Sequence, residues 1–383
     1  MNHISKKLVC STILVSLSLI LFSGVLDEFI YILDIDQLIV SNDLALNVLG
    51  MYLKYYEEGN VQYKTAADQS RTYTNLNIKP DDSLIFDILS GYQKGNEKDT
   101  INKIESALKK YPNSVTINAV RVIFLYDEYK NTKDLELSKN ILSSLDIITQ
   151  SKGDNPFCVY YESLVKWDLV DVNEKESIFS KVEKTFNSYS NNINILELLI
   201  CQAFELSKYE KIVQLAPRYE KEPKKNESIS LILAFSFNYL NEKERARNIV
   251  ESLIQNSDKK NILSKSYELL GDISDTYTQK KRNYEFSLTY DPKNVDSLAK
   301  LGILLYQHDM KNNIELSRIY LTKAIILDPN NEQVANILLK INNKLEQRLF
   351  LISYIPLFLI LAVIVYILYK FSEEETEVED EKQ

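Results

Sequence analysis

Between Val295 and Pro329 the apolar and small residues fall into two groups: Leu298, Leu301-Gly302 and Leu305, then Ser317, Leu321, Ala324 and Pro329. Residues three and four apart share one face of a helix, so each group marks a helix with a buried side. A glycine between leucines lets two helices cross closely, and a proline ends the second because it cannot continue a helix. A single helix–turn–helix unit leaves an apolar face uncovered and is stable only when stacked on others. The chain is therefore constrained to be an array of such units.

The same spacing recurs upstream. Leu46, Leu49-Gly50 and Leu53 precede a turn at Glu58-Gly59-Asn60, with a weakly patterned helix over 61–73. Leu84, Ile88 and Tyr92 lead through a turn at Gly95-Asn96 to Ile101, Ile104, Ala107 and Leu108, ending at Tyr111-Pro112-Asn113. Two looser units lie around 120–148 and 157–189, separated by Lys152-Gly153-Asp154. After Asn192, Leu196, Leu199 and Ala203 pair with Ile212, Ala216 and Tyr219, before Pro223. Leu233-Ala234 and Phe237 pair with Ala246, Val250 and Leu253, and Tyr267 with Leu270-Gly271 pairs with Tyr284, Ser287 and Pro292. Gly271 and Gly302 are 31 positions apart and Pro292 and Pro329 are 37 apart, which average to about 34.

This pattern resembles the tetratricopeptide repeat, a unit of roughly 34 residues written W-x2-L-G-x2-Y, then A-x3-F, then P. The resemblance implies an all-α fold: about eight units over 43–330 forming one continuous right-handed α-solenoid. Composition agrees, since only 8 Gly and 8 Pro in 383 residues suit long helices better than turn-rich sheets.

The flanks read differently. Lys6-Lys7 precede an apolar run, Leu8 to Val25, so residues 1–25 read as an uncleaved anchor in preference to a removed signal peptide, because bulky Leu21 and Phe22 sit where cleavage wants small residues. Residues 26–42 show no clear period and read as a connector. Val334, Ile337, Leu338, Ile341 and Leu345 make 331–348 a capping helix over the last repeat. It flows into Leu349–Tyr369, an uncharged run that at about 1.5 Å per residue matches a hydrocarbon core of about 30 Å, and so predicts a transmembrane helix. The tail, 370–383, is acidic. Lys6 and Lys7 place the N-terminus in the cytoplasm and the repeats outside, against a weaker opposite bias from Lys340, Lys344 and Arg348.

Net charge is −9 and no basic stripe with interleaved aromatics occurs, which argues against a nucleic-acid partner. Three widely spaced cysteines and two histidines supply neither a metal set nor a nucleophile–base pair, so no metal, cofactor or catalytic residue is expected. Gly91 and Gly95 flank a turn and do not make a helix-pairing motif. The informative positions lie on the first helix of each unit, which the resemblance turns toward a concave groove: Phe204, Phe235, Asn238, Tyr239, Glu268, Asp272, Asp275, Tyr306 and Gln307. They make the groove acidic and aromatic. Glu268 and Asp272 stand where carboxylate-gripping relatives carry Lys and Asn, which argues against that ligand. The function expected is a membrane-anchored scaffold binding a protein or peptide in the groove; the alternative is an accessory or catalytic subunit of an envelope system with a cavity in the array.

Overall fold

The computed structural model describes residues 26–73, 76, 78–222, 225–308 and 310–380. The apolar run Leu8–Val25, Cys10, Pro223 and the end of the acidic tail lie outside these. Among the described residues there is no strand. A short 3-10 helix, Leu26–Tyr31, precedes α1 (Ile35–Ile39), α2 (Leu44–Glu58), α3 (Val61–Tyr73), α4 (Pro80–Ser90), α5 (Glu97–Lys110), α6 (Val115–Thr132), α7 (Leu135–Lys152), α8 (Pro156–Trp167), α9 (Val172–Ser188), α10 (Ile193–Glu205) and α11 (Tyr209–Tyr219). Then follow α12 (Glu227–Tyr239), α13 (Lys243–Asn256), α14 (Lys260–Ile273), α15 (Tyr277–Tyr290), α16 (Val295–His308), α17 (Met310–Leu327) and α18 (Glu332–Asp380).

From α2 to α17 the helices pack as consecutive pairs, each first helix against the second that follows it. Polar caps in the loops set where many of them begin. Asp43 accepts from the amides of Ala45 and Leu46, Asn192 from Ile195, Asn294 from Ser297 and Asn331 from Val334, which satisfies donors that the first turn leaves without partners. The helices gather in two compact units that divide at Pro223 and Lys224.

In the first unit, α2 to α11, a core runs from Leu26 to Val165 and is rich in rings. Tyr56 packs on Phe124 at 4.2 Å and Tyr92 meets Tyr55, Tyr56 and Phe124. The buried hydroxyls find acceptors, Tyr52 on Asp68, Tyr56 on Asp127 and Tyr92 on Glu97, so aromatic bulk is buried without stranding its polar tip. Burial, followed by the Asp68 hydrogen bond, pushes the Tyr52 hydroxyl up to about 12.

Where the sequence shows no period, residues 26–40 are folded into this unit. Leu26, Phe29 and Ile30 are buried and Asp27 is buried with them. Leu33, at φ +60°, turns the chain into α1, which Asp34 caps. Gly50 of α2 lies against α1: a Cβ there would stand 2.7 Å from Leu38 Cβ and 2.8 Å from the Ile39 amide nitrogen. Buried Lys54 then pairs with Asp36, Glu57 and Glu58, bringing α1 and α2 together through charge as well.

In the second unit, α12 to α18, the close crossings fall on the two glycines of the repeat spacing. A Cβ on Gly271 would stand 2.4 Å from the Tyr284 ring, and one on Gly302 2.6 Å from Leu321 Cγ. Val334 and Ile341 of α18 are fully buried against Leu298, Leu321 and Ala324, closing the last pair. The same helix continues without a break through 349–369, where the apolar side chains are exposed, and it is long and apolar enough to cross a membrane.

Candidate functional site

The first helices of the second unit carry most of the expected groove residues. The repeat register places Phe235, Asp272 and Ile303 at equivalent positions, and likewise Asn238, Asp275 and Tyr306. Phe235 is half-buried, filling space beside Leu231, Ile249, Leu253 and Ile262, between α12, α13 and α14. Tyr306 is half-buried against the cluster that α18 closes. Asn238 is half-buried and Tyr239 is 68% exposed at the end of α12. Asp275 and Gln307 are exposed. Phe204 belongs to the first unit, half-buried, with its ring centroid 5.9 Å from that of Tyr209.

Glu268 and Asp272 are tied into the fold rather than held out as bare charges. Glu268 is 2% exposed and is met by Lys265 at 2.8 Å, Lys300 at 2.7 Å and the Asn294 amide at 3.1 Å. Asp272 accepts from Lys300 at 2.7 Å and from the Tyr284 hydroxyl at 2.9 Å. Burial opposes the charge on Lys300, yet the Glu268 and Asp272 carboxylates beside it outweigh that and raise its pKa. Lys265 behaves alike: burial lowers, Asp296 and Glu268 raise more, and it stays protonated. Behind the carboxylates Asn294 reaches the Ser264 and Ser287 hydroxyls, and Ser287 pairs with Ser297 at 2.7 Å, so these four buried polar side chains satisfy one another.

Sequence reasoning missed Lys265, Lys300 and Asn294. The signal was available: Lys300 lies 32 positions from Glu268, close to one repeat, and a charge of opposite sign at that separation falls on the neighbouring first helix. The face is therefore far less acidic than its carboxylates alone suggest.

A cleft of about 330 Å³ opens between α13, α14 and α15. Ile254, Tyr267, Leu270 and Phe286 line it, with Glu251 and Arg282 also at its wall. The Tyr267 ring is stacked on Tyr290 at 5.6 Å and packs on Phe286 at 5.2 Å. The cleft is shallow and mixed in charge, unlike a water-excluded acidic pocket. No group of three or more metal-ligating side chains stands together among the described residues.

No protein-family model matches the sequence, and no curated protein matches it. Among solved structures the chain is similar to the APC/C hetero-tetramer Cut9-Hcn1, at 10% identity over 80% of this chain and 58% of that one, with a TM-score of 0.51. It is also similar to a tetratricopeptide repeat protein from Parabacteroides merdae, at 13% identity over 68% of this chain and 98% of that one (TM-score 0.45). A third similarity is to yeast Tom70, at 15% identity over 79% and 72% (TM-score 0.39). At such identities a likeness speaks for fold alone. The helix pairs and their glycine crossings make each unit an all-α solenoid of stacked helix pairs, similar in fold to tetratricopeptide repeat proteins.

Proposed function

We propose that the protein is a membrane-anchored scaffold that binds a partner polypeptide on the face of its second unit bearing Asn238, Tyr239, Asp272, Asp275, Tyr306 and Gln307. The observation that carries this reading is Tyr239, a large ring 68% exposed at the end of a first helix. Tyrosine offers rigid contact area at low entropic cost and is enriched where binding energy concentrates. Because Lys265 and Lys300 answer Glu268 and Asp272, recognition here rests on ring and amide contacts more than on net charge. The role is binding, not catalysis, and the net charge of −9 favours polypeptide over nucleic acid.

The anchor in this reading is the apolar part of α18, with Leu8–Val25 as a second. The repeats face away from the cytoplasm, following Lys6 and Lys7.

A photo-crosslinking amino acid at position 239 of the full-length membrane protein tests the reading, with the same residue at Val172, 69% exposed in the first unit, as control. A defined polypeptide adduct at 239 that is absent at 172 is expected. Equal adducts at both positions, or none at 239, would remove this face from consideration.

A further inference from the structure

Residues 26–33 are held in the first unit in the manner of a bound peptide. The segment runs past the loops that start α4, α8 and α10 and meets them through different kinds of contact. Asp27 meets Lys152, the last residue of α7, at 2.7 Å, and Lys79, which precedes α4, at 3.5 Å. Phe29 enters edge-on against Phe157 at the start of α8, ring centroids 5.8 Å apart. The Tyr31 ring stacks on Tyr189 after α9, at 6.1 Å. Asn192 does double duty: its oxygen caps α10, while its amide nitrogen donates to the Ile32 carbonyl at 3.1 Å and reaches toward that of Tyr31 at 3.5 Å.

A carboxylate read by lysines, a ring in an aromatic socket and backbone carbonyls read by an asparagine amide are elements by which a groove recognises a peptide, here one wound into a 3-10 helix over 26–31. We propose that this edge of the first unit is a peptide-recognition site, and that residues 26–33 are its occupant in cis. Its chemistry fits an acidic residue two places before an aromatic one, followed by accessible main-chain carbonyls.

Two features make the occupant separable from its site. Its three buried and three half-buried apolar side chains are set against the ordering entropy of eight backbone residues, so the segment is held near balance. Asp82 is 1% exposed, and its carboxylate and that of Asp27 repel one another, which works against docking. A polypeptide from elsewhere with the same pattern would compete for these contacts. The site lies in the first unit and is independent of the face around Tyr239.

Two measurements on the full-length protein in detergent test the proposal. In Ile30→Cys, thiol labelling at position 30 is read by mass spectrometry against native Cys158, which is buried in α8 of the same unit. A segment that opens on its own labels at least about tenfold faster than Cys158; equal rates would make it ordinary core and overturn the proposal. Separately, a fluorescent peptide of residues 26–33 is added to wild type and to Asp27→Lys/Phe29→Ser, whose own segment is released. The variant is expected to bind at least about tenfold more tightly than wild type. No gain in a variant with a native circular dichroism spectrum would overturn the proposal, and if the variant fails to fold the labelling comparison decides.

Discussion

The crossing at Gly302 sets a measurable limit on how the last pair of helices can be altered. A methyl at 302 would meet Leu321 Cγ at 2.6 Å and Cδ2 at 2.7 Å, with the Leu321 amide nitrogen behind them at 3.3 Å. Leu321 is fully buried, so its side chain cannot swing out into water. The crossing is further fixed by the Ser317 hydroxyl, which donates to the Gly302 carbonyl at 2.7 Å. Overpacking costs about 1–3 kcal/mol and weakening a buried hydrogen bond about 0.5–1.5, against which alanine recovers about 1 kcal/mol of helix propensity. Gly302→Ala should therefore destabilise α16 and α17 by roughly 1–3 kcal/mol, and Gly302→Leu by more. Hydrogen exchange by mass spectrometry isolates these helices, and the predicted opening is roughly 5- to 150-fold faster. Leu321→Ala alone should cost about 2–5 kcal/mol through its cavity, but the double variant should fall short of the sum by at least about 1 kcal/mol, since the added methyl then has room. Additivity within about 0.5 kcal/mol would refute the geometry.

Other outcomes follow from the charges and the anchor. Lys300→Met strips a partner from both Glu268 and Asp272; with Lys300 about one-third exposed, a loss of about 1–3 kcal/mol is expected in thermal denaturation, largely restored by adding Glu268→Gln. Burial first, and then the Asp81 and Asp27 charges, raise the Asp82 pKa, only partly offset by the Thr116 hydroxyl and Lys79. A carboxyl whose folded pKa is raised loses stability as pH climbs from its unfolded value through the folded one. Asp82→Asn should thus be the more stable protein at neutral pH and lose that advantage below about pH 4. Equal stabilities at both pH values would show that the carboxylate is relieved by solvent. For topology, protease added to intact spheroplasts should digest the repeats and spare an epitope after Gln383; protection of the repeats would reverse the orientation.

The helix pairs were legible because their signals are local. Leu301-Gly302-x2-Leu305 places one buried face and one close crossing within two turns, and Asn192 or Asn294 announces a helix start by its own hydrogen bond. The docking of residues 26–33 was not legible. Its contacts join positions such as Ile32 and Asn192, 160 apart, and six residues of 3-10 helix are too short to display a period. Gly50 shows the same limit: its spacing is that of the repeat, yet the surface that requires the glycine belongs to α1, a neighbour the motif does not encode. Glu268 and Asp272 lie on the first helix α14, and the 32-position spacing puts Lys300 on the neighbouring first helix, but spacing alone does not say which Lys300 rotamer reaches both carboxylates.

The continuity of α18 has a mechanical meaning. Val334 and Ile341 are locked in the core of the second unit, and the same hydrogen-bonded rod reaches the apolar segment with no loop to act as a joint. Pro356, which removes a helix hydrogen bond and favours a bend, lies seven residues past the start of that segment, too late to decouple its first two turns from the repeats. If the proposed anchor is inserted in a bilayer, a tilt taken up to match a thinner or thicker membrane becomes a rotation of the second unit, so membrane thickness would set the angle at which the proposed face around Tyr239 is presented.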